Sequence, residues 1–269
     1  MELTEGCIAA ILCRTTPLDV ARLSSVSKIF RSAADSNKVW DHFLPSDYHS
    51  IISQSPSLAN APSKKALYLA LSDCPIIIDQ GKKSFQLDRK NGKKSYMLSA
   101  RALSIARGDY ESYPHWVILP ESRFKEVARL KVACWYDIWG QINIAALSPN
   151  TQYSAFLVFK LANSLGFHYD PVLLSVGISG GHICSKKTLL DPSIEEGHLD
   201  NRTKVLECPN MRSDGLLEIE MGEFFNSGSG NDKVEMTIMM TGKGYWNGIL
   251  YLEGIEVRPK TSGSRRNSI

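Results

Sequence analysis

Lys83-Ser84-Phe85-Gln86-Leu87-Asp88-Arg89-Lys90-Asn91-Gly92-Lys93-Lys94-Ser95-Tyr96-Met97-Leu98 is the stretch on which the fold turns. Phe85 and Leu87 alternate with polar residues, and so do Tyr96 and Leu98 on the far side of Asn91-Gly92. A period of two is the mark of a strand with one buried face. Asn-Gly between two such runs predicts a hairpin whose two turn residues both take positive φ. Downstream, further strand runs occur at 129–138, 141–146, 153–161, 172–178, 216–221, 234–240 and 249–257. Short strands punctuated by Gly, Pro and Asn predict an antiparallel β-sandwich over 82–260. The Ser-, Gly- and Arg-rich stretch 261–269 is expected to be a disordered tail. Within it, Arg265-Arg266-Asn267-Ser268 suits a basic-directed kinase.

Upstream of the hairpin the period is helical. Leu3, Ile8, Ile11 and Leu12 fall on one face. Thr16-Pro17 restarts the chain: Thr16 caps a new helix, Pro17 suits its first turn and Asp19 complements the dipole. Leu23, Val26, Ile29 and Phe30 continue the pattern, and Trp40 and Phe43 follow a polar break at Asp35-Ser36-Asn37. Three short helices over 1–49 bury little core by themselves, so they need a partner or the rest of the chain. Residues 50–81 read as a linker, rich in Ser, Pro, Asn and Ala to residue 63 and carrying a short helix at 64–71.

Composition narrows the function classes. A net charge of +3 is too slight to argue for a nucleic acid or an anionic membrane. Cys7, Cys13, Cys74, Cys134, Cys184 and Cys208 form no C-x-x-C pair, so reduced thiols are expected rather than a zinc site or a disulfide framework. His182, His198 and Cys208 lack metal-site spacing, and no cofactor motif is present; Gly92-Lys93-Lys94-Ser95 lacks the upstream glycine of a P-loop. The N-terminus has neither the basic nor the apolar region of a secretory signal, and no apolar run is long enough to cross a bilayer. A cytoplasmic and nuclear location is therefore expected, and the sequon Asn201-Arg202-Thr203 is expected to be unused. Gly177-Ile178-Ser179-Gly180-Gly181 fits G-x-S-x-G, with Asp191 and His198 following in triad order. A nucleophile elbow needs a helix after the serine, and Gly181-His182-Ile183-Cys184-Ser185-Lys186 does not start one convincingly, so no catalytic residue is assigned.

Two family resemblances cover nearly the whole chain. Leu3-Thr4-Glu5-Gly6-Cys7-Ile8, Thr15-Thr16-Pro17-Leu18-Asp19, Leu23-Ser24-Ser25-Val26-Ser27-Lys28-Ile29-Phe30 and Val39-Trp40 together resemble an F-box, with Thr4 where that family usually has proline. Lys94-Ser95-Tyr96-Met97-Leu98-Ser99-Ala100-Arg101-Ala102-Leu103-Ser104-Ile105, Leu119-Pro120-Glu121-Ser122-Arg123-Phe124, the run 153–161, the run 212–225 and Gly254-Ile255-Glu256-Val257-Arg258-Pro259 resemble the phloem-protein-two, or Nictaba-like lectin, family.

The first resemblance implies binding to a Skp-type adaptor and through it a cullin complex, with no chemistry done by this chain. Leu3, Ile8, Ile11, Leu12, Pro17, Leu18, Leu23, Val26 and Trp40 are the residues expected to carry it, as apolar helix faces in a partner groove. The second implies a jelly-roll-like lectin fold and a protein or N-glycosylated target, with a GlcNAc-containing glycan as one candidate. Sugar sites stack an aromatic ring on a pyranose and bond its hydroxyls with carboxylates or amides. The sugar-linked tryptophans of the family's glycan-binding members fall here on Arg107 and Pro114. Tyr113, Trp116, Glu218 and Glu220, together with Arg107, are the candidate target-binding residues. A free-standing intracellular lectin without a ligase role is the alternative reading.

Overall fold

The structure is a computed structural model that describes residues 3–107, 114–132, 136–163, 171–192, 206–228, 230, 232–240 and 248–260. Tyr113, Cys134, His198, the sequon and the stretch 261–269 lie outside the described residues, as does the side chain of Arg107. Contacts divide the chain into Met1–Tyr96 and Met97–Ile269.

The first unit begins with α1 (Glu5–Leu12), α2 (Pro17–Leu23), α3 (Lys28–Asp35) and α4 (Asn37–Phe43). It continues through α5 (Tyr48–Ile52), α6 (Pro56–Ala59) and α7 (Lys64–Asp73) to strands β1 (Ile76–Ile78) and β2 (Lys83–Leu87). Hydroxyl caps set the helix starts: Thr4, Thr16, Ser27, Ser36 and Ser63 each accept a backbone N–H of the first turn. The core forms around Trp40, whose indole N–H donates to the Ala34 carbonyl at 2.6 Å. Its ring lies 5.1 Å from that of Tyr68 on α7. Ile8, Leu12, Val20, Val39, Leu67 and Leu71 complete this core. The segment that reads as a linker is thus part of a folded unit. The segment expected to hold three short helices holds four, and α7 packs on α4 to cover Trp40.

The Asn-Gly hairpin is present but longer than the sequence predicts. β2 and β3 (Lys94–Ser99) are joined by residues 88–93, and Gly92 has φ 72° while Asn91 is not in the positive-φ region. The Asp88 carboxylate closes the turn instead, accepting from the Lys90 and Asn91 backbone N–H groups at 2.9 and 3.0 Å. Tyr68 ties the turn to α7 by donating to the Asp88 carbonyl at 3.1 Å. The chain passes from one unit to the other inside β3.

The second unit is a sandwich of two antiparallel sheets. One sheet runs in the order β5 (His115–Val117), β6 (Val127–Val132), β14 (Gly248–Pro259), β8 (Thr151–Asn163), β12 (Leu217–Asn226), β11 (Asn210–Met211), with the end of β3 also beside β14. The other runs β10 (Ile183–Thr188), β9 (Val172–Ile178), β13 (Lys233–Met240), β7 (Tyr136–Asn143), β4 (Ser104–Arg107). Alternation builds the core between them: Tyr153, Ala155, Leu157 and Phe159 of β8 and Val234, Met236 and Ile238 of β13 are all buried. Bulges at Glu220/Gly222 and Leu252/Gly254 shift the pairing of β12 and β14 with β8. The run 129–138 is not one strand. It is the end of β6 in one sheet and the start of β7 in the other.

Candidate functional site

The nine F-box positions separate into two groups. Ile8, Leu12, Pro17 and Trp40 are buried within the helical unit, and Leu18 and Leu23 are half-buried. Leu3, Ile11 and Val26 are exposed, at 55%, 47% and 65%, and Ile29 joins them at 41%. Leu3 lies just before the Thr4 cap of α1, Ile11 on α1, Val26 on the α2–α3 connection and Ile29 on α3, and α1 packs on α3. Exposed aliphatic side chains that cluster are a feature of protein-contact surfaces. The sequence signal for Ile29 was its place in the same helical repeat as Val26. Thr4, in the usual proline position, is the cap of α1 and accepts from the Cys7 N–H. Thr4→Ala is expected to cost about 1 kcal/mol in urea-unfolding midpoint and slope, because that donor then has no side-chain acceptor.

In the sandwich, strand register separates the candidates. Trp116 pairs with Ala128, Ala128 with Leu252, Leu252 with Phe159 and Phe159 with Leu217. Directly paired residues share a sheet face, so Trp116 lies on the side of Leu217, opposite to Glu218 and Glu220. Four strand steps, roughly 19 Å, also lie between them. One pocket of Trp116, Glu218 and Glu220 is therefore not formed. Trp116 is instead half-buried, with the Arg101 guanidinium 3.6 Å above its ring and Arg101 paired with Glu126.

Glu218 belongs to a charge network on the outer face of its sheet. Arg258 reaches across β8, its guanidinium 3.7 Å from the Phe156 ring centre, to meet both Glu218 oxygens at 2.7 and 2.9 Å. Arg212 bridges Glu218 at 2.8 Å, Glu256 at 2.7 Å and Asp214 at 3.0 Å. Arg123 bonds Glu256 at 3.3 Å. Burial would raise the Glu256 carboxyl, but Arg123, Arg212 and Arg258 outweigh it and hold the group below the usual carboxylate range. Three arginines and three carboxylates thus satisfy one another. This is a clamp between strands. Glu220 stands next to Glu223, and burial followed by that neighbour's charge pushes its carboxyl up. Glu223 in turn pairs with Lys260.

Ser179 is no nucleophile elbow. It lies in the turn between the antiparallel strands β9 and β10, donates to Glu235 Oε1 at 2.7 Å, and no helix follows. Among the described residues, no group of three or more His, Cys, Asp or Glu is placed to hold a metal ion.

Comparison with known proteins places these surfaces in a family. The family model "Phloem protein 2" matches residues 93–259, and "F-box domain" matches residues 2–42. The chain belongs to the phloem protein 2 family and carries an F-box. Among the family's relatives, "Putative F-box protein PP2-B12" of Arabidopsis thaliana is 40% identical over 262 residues, covering 97% of this chain and 98% of that protein. "F-box protein PP2-B1" of the same plant is 35% identical over 307 residues, covering 97% and 90%. Among solved structures, TmCBM61 in complex with β-1,4-galactotriose is similar over 60% of this chain and 91% of that one, at 10% identity and a TM-score of 0.35.

Proposed function

We propose that this protein is the target-recognition subunit of a Skp–cullin–F-box ubiquitin ligase in the cytoplasm and nucleus. Its helical unit binds the Skp-type adaptor, and its sandwich holds a protein or glycoprotein target. The chain does no bond chemistry itself; it raises the local concentration of the target beside an activated ubiquitin. The observation that carries this reading is the exposure of Leu3, Ile11, Val26 and Ile29 in the segment matched as an F-box.

The test is a binding titration with a purified plant Skp-type adaptor. Ile11→Asp combined with Val26→Asp is expected to weaken binding at least about 100-fold, close to 2.7 kcal/mol, with the melting curve unchanged. Substitutions at Leu12 or Pro17 are poor probes, because both side chains are buried and their loss unfolds the helices. Undiminished adaptor binding by the double variant, or no adaptor binding by the unaltered protein, would sink the ligase reading. In the second case a free-standing lectin becomes the better account.

A further inference from the structure

The outer face of the five-stranded sheet carries a tryptophan that the core does not use. Tyr136, Ile138, Gly140 and Ile142 of β7 point inward, so Trp139 between them points out and is 37% exposed. It stands in an interior strand, between β4 and β13. Register sets Ser104, Thr237, Ser175 and Ser185 in one row with it across all five strands. The row is a line of hydroxyls at about 4.8 Å spacing, interrupted by one indole. On its own strand Trp139 is flanked, two residues away on either side, by Asp137 and Gln141, and Gln141 faces Glu235 across the ladder.

We propose that this face, centred on Trp139, is the target-contact site of the sandwich, and that its ligand is a neutral oligosaccharide with one pyranose stacked on the indole. The proposal rests on the reading of the sandwich as the capturing half and deepens it. An indole face matches the apolar C–H face of a pyranose, and a carboxylate and an amide two residues along the strand, with hydroxyls on the neighbouring strands, match sugar hydroxyls that both donate and accept. The acidic Asp137 and Glu235 share the face with Lys187 and Lys233, so it presents no net charge to select a charged ligand. Met239, Leu173 and Ile183 give the face some apolar surface beside Trp139, but Asp137, Gln141, Glu235 and Lys187 stand among them, so an amphipathic peptide helix is a poorer occupant than a sugar that both stacks and hydrogen-bonds.

The experiment uses the full chain on an array of neutral chito-, manno- and galacto-oligosaccharides and N-glycans, followed by titration of the best binder with tryptophan fluorescence as readout. Trp139→Ala is expected to lose at least tenfold in affinity, Trp139→Phe to retain part of it, and Trp116→Ala to bind as the unaltered protein does. All three variants are expected to keep their melting curves and their affinity for the Skp-type adaptor. Binding of no array glycan, equal binding by Trp139→Ala, or loss confined to Trp116→Ala would overturn the site. Each of these results leaves the adaptor measurement, and with it the ligase reading, intact.

Discussion

Gly254→Ala is expected to yield no folded sandwich. A Cβ built at residue 254 lies 1.8 Å from the Leu98 carbonyl oxygen, 2.9 Å from its carbon and 3.1 Å from the Ser99 Cα. All three are backbone atoms, so no rotamer change relieves the contact. Gly254 follows the bulge at which the pairing of β14 with β8 skips Glu253, and it lets β14 pass close to the end of β3. Prising the strands apart breaks ladder bonds in the middle of the sheet. A cost above about 4 kcal/mol is expected, a large part of the total stability of a domain this size. Gly215 is the matched control. It also has positive φ, at +83°, but its Cβ would meet nothing within 4 Å. Gly215→Ala is therefore expected to lose only about 1–3 kcal/mol, from backbone strain alone. Circular dichroism and thermal melting of the two variants decide the matter, and a Gly254→Ala protein that melts within a few degrees of the unaltered one refutes the clash.

Glu256→Ala is expected to be the most damaging change of a charged residue in the sandwich. Its carboxylate is 8% exposed and is the meeting point of Arg123, Arg212 and Arg258 at 3.3, 2.7 and 3.1 Å. Its removal leaves three guanidiniums crowded on a partly buried face with fewer counter-charges. Breaking such a pair from one side costs about 3–5 kcal/mol, most of it from the cations left behind. Glu218→Ala is milder, since Arg212 keeps Asp214 and Glu256 and Arg258 keeps Glu256. Acidity provides a second readout. The folded carboxyl of Glu256 lies below its ordinary value of 4.5, so its contribution is full above that pH and fades as pH falls through the folded value. The melting temperature of the unaltered protein is expected to fall with acidification across that window more steeply than that of Glu256→Gln. Parallel slopes for the two proteins are the contrary outcome.

Much of the sandwich was legible in the sequence because alternation reports burial directly. The runs 172–178 and 234–240 match β9 and β13 to within one residue. The failures have physical causes. β10 carries Cys184, Ser185, Lys186 and Lys187 with no apolar alternation, since an edge strand exposed to solvent needs none. The crossing from β6 to β7 was hidden because strands of both sheets bury apolar faces, so the run does not break where the chain changes sheets. In the candidate site, Trp116 and Glu218 were joined on residue chemistry. Register decides which face each occupies, and register is set by pairing between strands far apart in sequence. Trp139 was within reach of the pattern: inward Ile138, Gly140 and Ile142 leave it outward. The helical segment held its F-box spacing, yet sequence alone did not divide inward Ile8 and Leu12 from outward Ile11.

The contact between Trp40 and Tyr68 has a consequence for how such chains can be recombined. The F-box match ends at residue 42, but Tyr68 of α7 and the turn it fastens at Asp88 complete the core on which Trp40 rests. A gene fusion that moves only the matched segment onto another sandwich would carry half a core and leave the other half behind. The contact unit that holds this core runs to Tyr96. In this chain the heritable motif is shorter than the folding unit that contains it.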